Sequence, residues 1–272
     1  MNVEKGRYWD KRWSLVDCCT RPDRLNIPLR TRKPTIFAVR NDLFHEAVPA
    51  SFIDDAYEVM AACPHHTFLV LTKRAQNIVP KLYDITVDCP IRELGGGDYL
   101  PNVWHGLTIC NQPELDAKMG DFLKVPGKKW MSIEPMLGEI DIKPYLSKPM
   151  YYCSVCGKEK FRDYCKKCGT YDNTATNKLA GIDGVVLGGE TGPGPRLMHP
   201  DWVRNVRNDC AAAGVPFFFS QWGSYTGIRA TGYDFHNEVL NPAGHNRTKS
   251  NGGRLLDGRT HDDLAWGKKE GI

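Results

Sequence analysis

Two matching cysteine knuckles, Cys153-Ser154-Val155-Cys156-Gly157 and Cys165-Lys166-Lys167-Cys168-Gly169, carry the most specific chemistry in the chain. A two-residue gap lets both sulfurs of a pair turn toward one ion, and the following glycine permits the tight turn that softens the thiolate charge with backbone amides. Cys153, Cys156, Cys165 and Cys168 therefore form a candidate tetrahedral metal site. Zinc is the expected ion, with a single iron of rubredoxin type as the alternative. Such a ribbon staples a short segment that has no core of its own. Lys158, Lys160, Arg162, Lys166 and Lys167 are interleaved here with Tyr151, Tyr152, Phe161, Tyr164 and Tyr171. That mixture suits phosphate contact and base stacking, and equally suits simple packing of the ribbon. Cys18, Cys19, Cys63, Cys89, Cys110 and Cys210 lack paired ligand spacing and read as ordinary thiols.

A second set of reactive side chains comes directly after short apolar runs. Asp42, His45, Lys73, Glu134 and Glu190 are the acid–base candidates, with Arg74 and Asn111 in equivalent places. His45 reads either as a general base or ligand, or as a hydrogen-bonded structural group. Lys73 and Arg74 offer a fixed positive site for a carboxylate or phosphate, against plain surface solvation. Glu134 precedes Pro135, which places a carboxylate at a rigid exit from its run. The segment Gly188-Gly189-Glu190-Thr191-Gly192-Pro193-Gly194-Pro195-Arg196 is dense in glycine, which lets a ligand approach the backbone. Glu190 can accept from an amine or hydroxyl, and Arg196 can hold an anion. Gln221-Trp222 adds an amide and an indole suited to a planar group. Gly188, Gly189, Glu190, Thr191, Arg196 and Gln221 are the predicted cofactor-binding residues.

The elements that must position these groups follow from the runs themselves. Ile36–Val39, Phe68–Leu71, Val103–Leu107, Trp130–Ile133, Gly184–Leu187 and Pro216–Phe219 are each followed by polar residues. Continuous apolar runs predict strands buried on both faces, as in parallel sheets, and helix-like segments separate most of them. Helices are predicted after Val48, with Ser51 as cap and Phe52, Ala56, Val59 and Met60 buried, then over 75–82, 113–123 and 201–213. In the last, Trp202, Val203, Val206 and Cys210 recur at helical spacing and Gly214 closes the helix. The expected fold is α/β, a partial or full (β/α) barrel of parallel strands. Functional groups in such sheets gather at the carboxyl ends of the strands. The predicted organisation is a polar extension over 1–34, the barrel-like domain over 35–223, an inserted four-cysteine zinc ribbon over 150–177 and an irregular tail over 224–272 that folds over the strand ends.

Composition sets bounds around this reading. The chain has 272 residues, 41% hydrophobic and 25% charged, with a formal charge of +4. It is long enough for one large core, and its charge balance alone does not argue for nucleic acid. No stretch approaches the length of a membrane span and the first residues begin no apolar signal, so the expected location is cytoplasmic. Ten cysteines in a chain this rich in core residues fit reduced thiols better than a secreted disulfide scaffold.

Together the run ends resemble a phage- and prokaryote-associated family of uncharacterised proteins, distant relatives of radical S-adenosylmethionine enzymes. The matching segments are Asn41-Asp42-Leu43-Phe44-His45-Glu46, Leu71-Thr72-Lys73-Arg74, Asn102-Val103-Trp104-His105-Gly106, Ser132-Ile133-Glu134-Pro135-Met136-Leu137-Gly138, Gly188-Gly189-Glu190-Thr191-Gly192-Pro193, Gln221-Trp222-Gly223 and Leu256-Asp257-Gly258-Arg259. The resemblance implies a [4Fe–4S] cluster and S-adenosylmethionine in the barrel mouth. One departure bears on the chemistry. Family members carry an N-terminal three-cysteine motif, in which three thiolates leave one iron for the cofactor. Cys18-Cys19 has neither its spacing nor a third cysteine, and Cys110 stands where relatives tend to have an acidic residue. A second polypeptide supplying the motif, a truncated start, or loss of the cluster would each account for this. Three functions stay open at this level: radical chemistry on a nucleic-acid base or nucleotide, a non-catalytic zinc-containing module that binds nucleic acid or protein, and a cluster-free barrel enzyme with a phosphate cradle at Gly188–Arg196.

Overall fold

The computed structural model describes residues 20–39, 41–83, 100–146, 151–152, 159–160, 181–224 and 253–267. The six apolar runs all form strands: β1 (Ile36–Val39), β2 (Thr67–Thr72), β3 (Val103–Thr108), β4 (Lys128–Ile133), β7 (Gly184–Gly188) and β8 (Phe217–Gln221). They build one parallel sheet in the order β1-β2-β3-β4-β7-β8, so consecutive strands are always neighbours and the sheet curls into a half-barrel. Between β4 and β7 lies an antiparallel pair, β5 (Tyr151–Tyr152) and β6 (Glu159–Lys160). All four ribbon cysteines lie outside the described residues.

Helices cover the convex face. They are the short α1 (Ile27–Arg30), α2 (Ala50–Ala62), α3 (Ala75–Tyr83), α4 (Gln112–Phe122), the short α5 (Lys143–Leu146) and α6 (Pro200–Ala213). Helix α2 departs from expectation at its start. Pro49 occupies the cap and Ser51 lies inside the first turn, with no side-chain cap bond. Its buried face is Ile53, Ala56, Tyr57 and Met60, one step round from the predicted stripe, so Phe52 and Val59 are only half-buried. Helix α6 ends as its sequence implies: Gly214 takes a left-handed φ of 64° and its N–H reaches back to Cys210 and Ala211 carbonyls.

Alternation along the strands divides the sheet's two faces. Phe68, Val70, Val103, Leu107, Met131, Ile133, Val185 and Leu187 face the helices and join the main core. Leu69, Trp104 and Trp130 face the concave side, packed with Ile36, Leu71, Val186, Ala265 and Trp266. A buried polar group sits on the convex face, where the Tyr57 hydroxyl and His105 Nε2 share a hydrogen bond of 2.7 Å. Lys129 is 1% exposed, and its ammonium donates to the Val125 and Gly127 carbonyls beyond α4. Burial pulls the Lys129 ammonium down to about 8. Burial, followed by repulsion from Lys129, pulls the His105 imidazole down to about 3.

The described part of the C-terminal region, 253–267, is a strap along β8. It starts at the strand ends, where Trp222 N donates to the Gly253 carbonyl and Trp222 Nε1 to that of Leu255. Asp257, held by Arg204 and Arg207, pins it to α6. Phe218 and Asp262 then form an antiparallel bridge, and Arg254 reaches both the Phe219 carbonyl and Asp262. The strap finishes on the concave face, with Ala265 against Gly184 and Trp266 edge-on to Trp104 and Trp130. Among the described residues no helix is long and apolar enough to cross a membrane.

Candidate ligand site at the strand ends

Parallel strands bring their carboxyl ends to one rim, and the predicted site residues fall there in three groups. The first joins β1 to β2. Asp42 accepts from the Thr72 hydroxyl at 2.5 Å, from Lys73 N at 3.3 Å and from Arg74 Nη1 at 2.7 Å. The same guanidinium holds Glu46 through Nε at 2.8 Å. Backbone and Asn77 hydrogen bonds, with Arg74 adding to them, keep Glu46 down at about 2. Asp42 therefore organises the rim and has little capacity left for a ligand. The Lys73 ammonium is exposed and has no partner among the described residues.

His45 and Asn111 serve their own loops. His45 Nδ1 accepts from Ala47 N at 3.1 Å, a local turn contact. Asn111 Oδ1 accepts from Glu114 N at 3.0 Å and so caps α4. The third strand end contributes Cys110 instead. Burial and Glu114 raise its thiol pKa, while Lys73, Lys118 and Arg196 pull the other way.

The second group joins β4 to β7. Ser132 Oγ donates to Glu134 Oε2 at 3.1 Å, and Oε1 lies 2.9 Å from where a Cβ on Gly188 would stand. A side chain at 188 would press on that carboxylate. Ser220 borders the same point, its Cβ 3.3 Å away. The loop after β4 is laced to both neighbours, with Met136 N donating to the Gly188 carbonyl and Leu137 N to that of Cys110. Glu134 is half-buried, and among the described residues no cation pairs with it. Ser132 and Ser220 were not among the predicted site residues. The signal for Ser132 was a lone hydroxyl alternating with apolar neighbours in Trp130-Met131-Ser132-Ile133, which places it on the concave face.

The third group joins β7 to β8, and here the glycines do different work from that expected. A Cβ on Gly189 would stand 2.0 Å from the Trp222 carbonyl oxygen, and one on Gly223 2.3 Å from that of Glu190. These two glycines let two backbone segments touch. Gly192 and Gly194, with φ of 111° and 64°, shape the exposed turn beyond. Glu190 is closed by Arg196, which donates from N, Nε and Nη2 at 2.8, 2.8 and 2.7 Å. Those bonds hold its carboxyl at about 2. Thr191 is exposed. Gln221 accepts from Gly189 N through its backbone carbonyl at 2.8 Å.

Of the three predicted rim carboxylates, Asp42 and Glu190 are satisfied by arginines, and Glu134 keeps acceptor capacity. The described cysteines do not fit an iron–sulfur cluster. Cys63 follows α2, Cys110 ends β3 and Cys210 lies in α6, and among the described residues no three His, Cys, Asp or Glu side chains gather closely enough for an ion. Neither a curated protein nor a solved structure matches the chain. Residues 4–265 match the family model described as "Protein of unknown function (DUF5131)", and the chain belongs to that family.

Proposed function

We propose that the chain is a radical S-adenosylmethionine-related protein whose half-barrel rim binds a ligand of the nucleotide class, with Glu134 as the recognising carboxylate. The observation that carries this is the contrast among the rim carboxylates. Glu134 receives one hydroxyl bond and stands half-buried over Gly188, while Asp42 and Glu190 are each neutralised by an arginine. A half-buried carboxylate with open lone pairs selects ligands that present hydroxyl or amino donors. S-adenosylmethionine offers both, and so do other nucleosides.

The same contrast argues against a phosphate cradle at the glycine-rich loop. Arg196 is already committed to Glu190, Gly189 touches backbone and Gly188 touches the Glu134 side chain. No step through an iron–sulfur cluster is assigned to the described residues, so catalysis would need thiolates from elsewhere. Binding is the activity proposed.

Calorimetric titration tests the reading with S-adenosylmethionine, S-adenosylhomocysteine and ATP on the wild-type chain and on Glu134→Gln. Saturable binding of at least one of them, weakened in the variant, is the expected result. Absence of binding by all three, or equal binding by the variant, refutes it.

A further inference from the structure

The lower part of the concave face holds a feature that the rim does not use. Trp130 lies on β4, two residues below Ser132, with its indole spread over Gly106 of β3. A Cβ on Gly106 would fall 2.4–2.7 Å from three ring atoms, so this glycine exists to seat the indole. Trp104 stands beside it and Gly184 keeps the neighbouring strand bare. Trp130 is 6% exposed, yet among the described residues its buried Nε1 has no hydrogen-bond partner. Nε1 lies over Gly106, and against the Trp130 ring stands Trp266, 5.0 Å away between centroids and inclined at 71°.

We infer that this tryptophan floor is a binding site for a planar fused heterocycle carrying a ring-nitrogen acceptor, and that the chain's own Trp266 stands in for that ligand here. Three observations carry the assignment. A fused bicyclic ring already fits the space, so its shape is matched to that class of molecule. The Trp130 N–H is withdrawn from water without an acceptor, and an indole, which donates only, cannot supply one. A purine-like ring can. Finally, Trp266 is lightly tethered: among the described residues the last strap pairing with the sheet is at Asp262, and the backbone bond beyond it is the turn from Gly267 N to the Leu264 carbonyl at 3.1 Å. The ring can leave while the strap stays docked on β8.

The site is separate from the rim, and the experiment keeps the two apart. The full-length chain, labelled with ¹⁵N at its indoles, is titrated with purine and with indole, fused bicycles of equal ring size that differ in ring acceptors. The Trp130 N–H resonance is assigned with Trp130→Phe. Purine should move that resonance and saturate, while indole binds about tenfold more weakly, as loss of one buried hydrogen bond implies. Trp266→Leu should tighten purine binding, Trp130→Phe should abolish the preference for purine over indole, and Glu134→Gln should change neither. A Trp130 resonance unmoved by purine in both the wild type and Trp266→Leu overturns the inference, as does equal binding of the two probes. Purine binding that Glu134→Gln abolishes, with the Trp130 resonance still, also overturns it and leaves the rim reading intact. If Trp266→Leu fails to fold, the wild-type titration decides.

Discussion

Ser132 and Glu134 are separated by one residue at the end of β4, and the hydroxyl of the first donates to the carboxylate of the second at 3.1 Å. This bond fixes one carboxylate oxygen and leaves the other over Gly188, 2.9 Å from where a Cβ would stand. Glu134→Gln should lower nucleotide-class binding at least about tenfold, while Ser132→Ala should lower it about fivefold through lost positioning. Both variants should melt within a few degrees of the wild type, since neither residue holds strands together. Calorimetric titration beside thermal melts checks the pair.

Gly106→Ala tests the seating of Trp130. The added methyl meets rigid ring atoms within 2.7 Å, so the indole must move, at a cost of about 1–3 kcal/mol. Denaturant unfolding measures the loss, and tryptophan fluorescence should shift as the ring leaves its place.

His105 predicts an acid limb in the stability curve. The unfolded imidazole takes a proton near its ordinary value, whereas the buried one resists until about 3. The unfolded state therefore binds more protons across that interval, and stability falls as pH drops from about 6.5 toward 3. The slope contributed is at most about 1.4 kcal/mol per pH unit. His105→Gln should flatten this part of the curve in denaturant melts at pH 7, 6 and 5.

The four ribbon cysteines lie beyond the described residues, so their chemistry is tested by analysis. The anaerobically purified chain, supplied with iron and sulfide, should contain about one zinc per molecule and show no broad absorption near roughly 400 nm. Cys156→Ser or Cys165→Ser should release the zinc. Several irons with that absorption would mean that thiolates outside the described set assemble a cluster.

The strands were the most legible part of the sequence, because six apolar runs left little choice of element and a two-faced cover demanded parallel pairing. Helix α2 was read one step off, since Phe52 and Val59 are as apolar as Ile53 and Tyr57, and only packing against β2 and β3 decides between them. The rim was legible as a place and much less so as a set of roles. Asp42, Glu134 and Glu190 look alike in sequence, and what separates them is whether an arginine reaches each one. Gly188 and Gly189 are adjacent and alike, yet one makes room for a carboxylate and the other for a backbone carbonyl. Pairings made across the fold leave no local trace. The same holds for the floor, where Gly106 and Trp130 acquire meaning only once β3 and β4 are in register.

Because each strand of the sheet lies beside its predecessor, a growing polypeptide can add units one after another as synthesis proceeds. The strap is the exception. Strand β8 ends at Gln221, but its outer side and the indoles beneath are sheltered by Asp262, Ala265 and Trp266. During translation, therefore, a molecule made as far as β8 bears an unprotected β-edge and a sticky aromatic surface until some forty further codons have been read. The interval before the strap docks is the period of greatest aggregation risk in the life of this protein.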